Sequence, residues 1–373
     1  MNRRYKLQLS QHVRHFKLLL MTQAMCGGLW SNQARAVDPY EHLDPYWVLL
    51  HEPAVVAELD LTESEREAYR ELLDELDLRF FPIRNKSREV AVEGLTKIVA
   101  EARAGMKGIL TSSKYRRLNE ILMWRLGTAA ISQDDVAARL RLDENQRQRL
   151  KEITDQTQVS VAALEKEASA GKSRPPLEKK FTELKTSEQR KMLRVLKPEQ
   201  ISAWKNLLGE TFEISQLGEP AYKAPELIDT GEWVNSSPLV PDDLRGKVVV
   251  IHFYASGCIN CIHNYEWYRQ WYDKFRGDDF VMIGIHTPET EAERDLAGVR
   301  KKATDEKLAF PILLDVKSEN WNAWGNSMWP SVYVVDKQGY LRKFWPGELN
   351  WQGNEGEKFM RSQIEALLAE ETP

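Results

Sequence analysis

Two cysteines, Cys258 and Cys261, have the residue types and the spacing best suited to chemistry in this sequence. They follow an apolar, strand-like segment and open a helix-like one, which places Cys258 at the first turn of a helix. Unpaired backbone N–H groups and the helix dipole favour a thiolate there, so we expect Cys258 to be the nucleophile. Cys261, one turn further on and less exposed, can attack a mixed disulfide at Cys258 and release the reduced partner. The spacing therefore predicts thiol–disulfide exchange, with no cofactor beyond a redox-active Cys258–Cys261 disulfide.

A Cys-x-x-Cys pair also occurs in zinc sites and in inert structural disulfides. A structural zinc ion takes four ligands. Near the pair, the sequence offers only His252, His263 and His286 and no second Cys-x-x-Cys. A zinc site is therefore disfavoured, and we predict no metal ligands. An inert structural disulfide is disfavoured as well.

The elements that must position the cysteines belong to a predicted α/β domain over residues 219–373. The segment Val248–Tyr254 is almost wholly apolar and rich in β-branched residues, as in a strand buried on both faces. Further strands are predicted at 280–285, 331–336 and 340–344, the last two forming a hairpin, and helices at 265–275, 291–307 and 357–368. Strands that alternate with helices are typical of an α/β sandwich.

Residues 37–218 are predicted to form a separate all-α bundle, because apolar residues recur there at three- and four-residue spacing. One pattern repeats four times, with a leucine just before a helix start and apolar anchors inside the helix. The expected N-terminal residues of these helices are Thr62, Thr111, Asp143 and Pro198. The repeats resemble the LTxxQ helices of Spy-like extracytoplasmic proteins, which would imply a partner-binding surface. A plain helical bundle explains the same leucines.

Five motifs, in order and correctly spaced, resemble the thioredoxin-like domains of the TlpA and DipZ type, thiol-disulfide oxidoreductases that act outside the cytoplasm. They are residues 244–250, the Cys258–Cys261 centre, residues 284–289, residues 321–326 and Trp329-Pro330. Together with the predicted helical region, the resemblance implies a multidomain chain: an N-terminal all-α bundle followed by a C-terminal α/β thioredoxin-like fold. It also implies that Pro330 is a cis-proline facing the two sulfurs, and that Trp329 offers its backbone to an extended substrate.

Three further side chains are candidates for proton transfer. His252 stands where thioredoxins have a buried acid that takes the proton of the resolving thiol, although the favoured interpretation is a histidine satisfied inside a strand. His286 and Glu289 follow a strand, at the sheet edge where α/β active sites gather, although a loop that merely ends the strand would look the same. Ile259-Asn260, between the cysteines, has no positive charge, which favours a reductant or isomerase-like role over a strong oxidant.

Residues 1–36 are predicted to be a signal peptide. They hold several basic residues and no acidic one, followed by a short apolar stretch and Ala34-Arg35-Ala36 before the expected cleavage site. Cleavage would remove Cys26 and leave Cys258 and Cys261 as the mature cysteines. The protein is thus expected to be periplasmic or otherwise extracytoplasmic, tethered to the membrane if the signal stays uncleaved, and without an integral span after cleavage.

Composition narrows the set of partners. Lys and Arg number 52 against 56 Asp and Glu, a formal charge of -4, so there is no basic excess to hold nucleic acid. The expected partners are protein thiols and disulfides, an unidentified electron donor and a protein partner of the helical bundle.

Two alternative functions stay open: a non-enzymatic, chaperone-like helical protein, and a thiol peroxidase of the peroxiredoxin type. Peroxiredoxins set the reactive cysteine in a Pro-x-x-x-Thr-x-x-Cys frame, where this chain has Ile251 and Ala255.

Overall fold

The computed structural model describes residues 44–169, 174–218 and 220–371. The backbone divides into two compact units, of which the first comprises residues 44–66 and 104–218 and the second comprises Glu67–Arg103 and 220–371. The predicted signal peptide, 1–36, lies outside the described residues, as does Cys26. The domain limits predicted from the sequence, 37–218 and 219–373, stay a prediction.

The first unit is built from helices. Two long helices contribute to both units: α3 (Glu63–Phe80) and α4 (Arg88–Ile109). The remaining helices are α1 (Pro45–Leu50), α2 (Pro53–Glu58), α5 (Ser112–Leu126), α6 (Asp134–Arg139), α7 (Glu144–Ser169), α8 (Arg174–Val195) and α9 (Pro198–Leu208). The prediction of a helical N-terminal region is confirmed. No helix in the described part of the chain is both long enough and apolar enough to cross a bilayer.

The helix starts follow the predicted capping pattern. Thr62 Oγ1 accepts the N–H of Glu65 at 3.3 Å while a Glu65 carboxylate oxygen accepts the N–H of Thr62 at 2.9 Å. Asp143 and Gln146 form the same reciprocal pair. The Asp143 carboxylate accepts the backbone N–H of Gln146 at 2.9 Å, and the side-chain oxygen of Gln146 accepts the N–H of Asp143 at 3.2 Å. Thr111 caps α5, and Pro198 is the first residue of α9. Each cap satisfies backbone N–H groups that the helix itself leaves unpaired.

The second unit contains, within the described residues, one seven-stranded sheet in the order β1-β7-β6-β3-β4-β5-β2. The strands are β1 (Tyr222–Lys223), β2 (Trp233–Val234), β3 (Val248–Tyr254), β4 (Phe280–His286), β5 (Ile312–Leu314), β6 (Ser331–Val335) and β7 (Tyr340–Pro346). The three strands β3, β4 and β5 run parallel, and β6 and β7 extend the sheet as an antiparallel hairpin. All seven residues of β3 are buried, which explains its apolar run.

The helices of this unit are α10 (Pro241–Leu244), α11 (Ile259–Phe275), α12 (Leu296–Asp305), α13 (Glu319–Ala323) and α14 (Gly356–Ala369). Two predicted helices have different limits. The helix expected at 265–275 begins at Ile259, directly after the first cysteine. The helix expected at 291–307 is a 3-10 turn, Glu291–Glu293, followed by α12, because Asp295 caps a new helix start by accepting the N–H of Gly298.

Residues 67–103 belong to the unit that holds the sheet, although their helical periodicity predicts that they are part of the helical bundle. A carboxylate oxygen of Asp77 accepts the N–H of Lys223 in β1 at 2.7 Å, and Asp74 accepts the hydroxyl of Tyr340 in β7 at 2.9 Å. The ring of Phe80 lies 5.7 Å from that of Tyr222. Helical periodicity shows that a helix has an apolar face but not which core that face covers.

Candidate active site

The two cysteines lie where a central strand gives way to a helix. Tyr254 ends β3, a short turn follows, and Cys258 is the N-cap of α11, with its sulfur accepting the backbone N–H of Cys261 at 3.3 Å. Cys258 is half-buried and Cys261 fully buried, and both are free thiols. The predicted geometry of an accessible cysteine at a helix start, followed by a shielded one a turn later, is present.

The electrostatics of the pair separate the roles of the two sulfurs. A hydrogen bond from the Cys261 thiol lowers the pKa of Cys258; burial opposes this, and the N–H groups of Cys261 and Asn260 add to it. The pKa of Cys261 is raised, chiefly by burial and then by its hydrogen bond to Cys258. Cys258 is therefore the sulfur that ionises first. Its thiolate is stabilised by N–H and S–H donors, whereas a thiolate at the buried Cys261 would have no contact with solvent.

The register of the sheet brings candidates from both neighbouring strands to this end of β3. Tyr254 pairs with His286 at the end of β4, and Phe253 pairs with Ser331 at the start of β6. Pro330 directly precedes Ser331, so it lies at the same end of the sheet as the turn that carries Cys258. The Trp329–Pro330 peptide bond is cis. The ring centroid of Trp329 lies 4.3 Å from that of Trp321, with the two rings tilted by 35°, and both side chains are partly exposed.

Two side chains, one at the end of β4 and one from the loop after it, hold the turn that precedes Cys258. His286 Nε2 accepts the backbone N–H of Ser256 at 3.2 Å, and Glu293 accepts the backbone N–H of Gly257 and the hydroxyl of Ser256. The other carboxylate oxygen of Glu293 accepts the N–H groups of Glu289 and Thr290, each at 2.9 Å. Glu293 thus joins the cysteine turn to the loop after β4.

Glu293 is not among the site residues predicted from the sequence. Its side chain is buried, and burial resists its ionisation, but the backbone N–H groups of Gly257, Thr290 and Glu289 outweigh that and lower its pKa. The one signal available in the sequence was the Thr290-x-x-Glu293 spacing of a capping box. That spacing gave no hint of a bond to residues 36 and 37 positions earlier in the chain.

His286 positions the turn as a neutral ring. It is fully buried, and burial lowers its pKa to about 4 against the opposing charge of Glu293. Since Nε2 accepts a hydrogen bond, the ring proton lies on Nδ1. Glu289, by contrast, is exposed, and its negative charge raises the pKa of both cysteines. The predicted roles of His286 and Glu289 in proton transfer stay predictions.

His252 lies on β3 within an aromatic cage. Its ring centroid is 4.4 Å from that of Tyr268, 5.0 Å from that of Tyr254 and 5.1 Å from that of Phe310. Neither ring nitrogen has a hydrogen-bond partner among the described residues. Burial lowers the pKa of His252 to about 3, so the ring is neutral and a weak base. Its predicted role as the acceptor of the resolving thiol's proton is not tested by this geometry, and the low basicity argues against it.

Across residues 44–169, 174–218 and 220–371, no cluster of three or more His, Cys, Asp or Glu side chains is arranged to hold a metal ion. The two cysteines face each other and backbone donors instead.

The part of the chain that holds this site is similar to known proteins. Residues 221–344 match the AhpC/TSA family model. Protein DipZ of Mycobacterium bovis is 36% identical over 132 residues, which make up 34% of this chain and 19% of DipZ. The thiol-disulfide oxidoreductase YkuV of Bacillus subtilis is 27% identical over 146 residues, 39% of this chain and 94% of YkuV. A crystal structure of a thioredoxin-like superfamily protein is 28% identical, with a TM-score of 0.36, and covers 40% of this chain and 99% of that one.

These similarities concern the second half of the chain. The chain spans about a fifth of the length of DipZ, the first of the curated relatives it matches. The predicted resemblance to thioredoxin-like domains of the DipZ type is confirmed, as is the predicted fold, a helical N-terminal region followed by a thioredoxin-like domain. Homologues that are thiol-disulfide oxidoreductases support the prediction of an oxidoreductase. The resemblance of the helical repeats to LTxxQ proteins stays a prediction.

Proposed function

We propose that this protein is an exported thiol-disulfide oxidoreductase that exchanges disulfides with protein substrates through Cys258 and Cys261. One observation carries the proposal: a half-buried thiol with a lowered pKa lies at a helix start beside a buried thiol whose pKa is raised. That asymmetry suits a nucleophile and a resolving group. The absence of positive charge at Ile259-Asn260 supports a reductant or isomerase-like direction.

In the reducing direction, the Cys258 thiolate attacks one sulfur of a substrate disulfide. A mixed disulfide forms, and the other substrate sulfur leaves as a thiolate that takes up a proton. Cys261 then loses its proton and attacks the Cys258 sulfur, which releases the second substrate thiol and forms the Cys258–Cys261 disulfide. Two electrons pass to the substrate, and a separate dithiol donor must restore the pair.

The resolving step is helped by the first step itself. The thiolate of Cys258 is one of the groups that raise the pKa of Cys261, after burial and their mutual hydrogen bond. Once Cys258 is part of a mixed disulfide, its negative charge and its hydrogen-bond acceptance are lost. The pKa of Cys261 therefore falls at the stage where its thiolate is needed.

The surface around Cys258 suits an extended, apolar polypeptide. Ile259, next to the nucleophile, is 60% exposed. Trp329 is partly exposed at the same end of the sheet, and the cis bond at Pro330 is the feature that the family resemblance assigns to substrate contact. We propose that the backbone at Trp329 pairs with the substrate segment on either side of its cysteine.

The proposals on export and on partners are based on the sequence. The proposed signal peptide over residues 1–36 would deliver the protein to the periplasm or an equivalent compartment, where disulfide exchange on secreted proteins takes place. The partners are then protein disulfides, a membrane-linked or soluble electron donor, and a protein bound by the helical region.

A thiol peroxidase of the peroxiredoxin type is the second candidate, because the matching family model is described as AhpC/TSA. Ile251 and Ala255 replace the proline and threonine that such enzymes place before the reactive cysteine. The reactive-cysteine frame of peroxiredoxins is therefore incomplete in this chain, which disfavours the peroxidase. Oxidation of Cys258 by micromolar hydrogen peroxide within seconds would favour the peroxidase instead.

The decisive experiment equilibrates the full-length protein with thiol buffers of defined potential and counts trapped thiols by mass. A reversible two-electron transition at Cys258 and Cys261 is expected. Cys258→Ser should abolish reduction of insulin disulfides, whereas Cys261→Ser should accumulate mixed disulfides. Full insulin reduction by the Cys258→Ser protein would overturn the proposal.

A further inference from the structure

The turn between α3 and α4 reaches the loop that carries Trp329. Phe81-Pro82-Ile83 form a 3-10 turn, and the following Arg84 and Asn85 complete it. These residues belong to the unit that holds the sheet, yet they lie far outside residues 221–344, the part that matches the family model.

The backbone of this turn approaches the backbone of the Trp329 loop closely at Gly325, just after α13. Gly325 has φ +56, and a Cβ placed on it would lie 2.0 Å from the carbonyl oxygen of Phe81. No side chain fits there. The ring of Phe81 is buried 6.3 Å from that of Trp324, so the approach is packed as well as close.

Polar contacts also join this turn to residues 324–326. The Arg84 guanidinium is buried, donates to the carbonyl oxygen of Trp324 at 3.3 Å and lies 5.3 Å from the ring centroids of Phe81 and Phe344. The side-chain amide of Asn85 donates to the carbonyl oxygen of Asn326 at 3.1 Å. The turn thereby places a buried cation against two aromatic rings and a backbone carbonyl.

From Asn326 the contacts continue to the residue before Trp329. The Asn326 side-chain amide donates to the carbonyl oxygen of Met328 at 3.0 Å, and its oxygen accepts the hydroxyl of Tyr333 at 2.9 Å. Ser331 Oγ donates to the same Met328 oxygen at 2.9 Å. The backbone on both sides of the cis peptide is thus held by a network that begins at Asn85.

We infer that the turn Phe81–Asn85 positions the Trp329–Pro330 loop and so determines how well a protein substrate is bound, an inference that rests on the proposed function. Arg84 and Asn85 are positioning residues, because they act through Trp324 and Asn326. Arg84 contacts Trp324 and the rings of Phe81 and Phe344, and Asn85 contacts Asn326, rather than the cysteine pair. They should therefore affect recognition of a polypeptide and leave the chemistry of the cysteine pair unchanged.

The test compares a protein disulfide with a small one, using the full-length chain. Asn85→Ala and Arg84→Gln are each expected to raise KM for insulin by about two- to tenfold, the effect of losing one or two hydrogen bonds. Turnover of the small disulfide DTNB and the pKa of Cys258 should stay as in the wild type. Lys86→Ala is the matched control, since Lys86 is exposed and adjacent in sequence.

The possible results separate the two proposals. If the wild type reduces neither insulin nor DTNB, the proposed function fails. If the wild type reduces both and the Asn85 and Arg84 variants reduce insulin with unchanged KM, the positioning role is refuted. Equal losses on insulin and DTNB, with a shifted Cys258 pKa, would also refute it, since they would show a general disturbance of the site. Thermal unfolding of each variant verifies that the chain stays folded.

Discussion

Replacing His252 by Phe should make the protein markedly more resistant to acid. His252 is caged by aromatic rings, and its ring nitrogens lack partners among the described residues. Its pKa falls from 6.5 in the unfolded chain to about 3 in the folded one. A histidine that cannot take up a proton when folded stabilises the unfolded state as the pH falls below 6.5, because only the unfolded chain then gains the proton.

The magnitude follows from the size of that interval. Each pH unit below the unfolded pKa costs about 1.4 kcal/mol per such histidine until the folded pKa is reached. At pH 5, His252 should therefore have lowered the free energy of unfolding by about 2 kcal/mol relative to pH 7.5. His286, whose pKa is lowered to about 4, adds a second contribution of similar size. The His252→Phe substitution should remove about half of the combined loss.

Urea unfolding of the reduced protein between pH 7.5 and pH 5 measures this directly. Phe310→Leu is the control, because it trims the same aromatic cage without removing a titratable group and should lower stability equally at both pH values. If His252→Phe loses as much stability between pH 7.5 and 5 as the wild type does, the reasoning about its burial is wrong.

The His252→Phe variant also tests whether His252 acts as a base in catalysis. A neutral ring with a pKa of about 3 is a poor acceptor for the Cys261 proton. Insulin reduction by His252→Phe should therefore stay within about threefold of the wild type, whereas loss of a general base costs on the order of 100-fold. A 100-fold loss in a folded variant would assign His252 the role of base after all.

Three further substitutions test the site and the helical unit. Glu289→Gln should lower the pKa of Cys258, because the Glu289 charge raises it; thiolate absorbance against pH measures the shift, and an unchanged or higher value would contradict it. Glu293→Ala should cost about 2–3 kcal/mol in urea unfolding, since it leaves the Gly257 N–H and other donors without their acceptor; a loss below about 0.5 kcal/mol would show that the turn is held otherwise. Gly209→Ala should cost at least about 1 kcal/mol, because φ is +57 and the new Cβ would lie 2.1 Å from a carboxylate carbon; an unchanged melting temperature would refute this.

Features that depend on neighbouring residues along the chain were predictable from the sequence. The β3 strand, the β6–β7 hairpin and the helix starts at Thr62 and Asp143 all agree with their predictions. So does the position of Cys258 at a helix N-terminus. Each of these follows from periodicity, turn residues or capping within about ten positions, so the local sequence determines it.

Other features were decided by the tertiary structure alone. Glu293 binds the Gly257 N–H across 36 positions, and Arg84 binds the Trp324 carbonyl across 240. Such contacts depend on which strands pair and on which core a helix covers, and no local pattern encodes either. The sequence by itself thus determined the reactive pair and the strand and helix that present it. The side chains that hold the cysteine turn and the Trp329 loop were determined by packing, because they meet only when distant segments fold together.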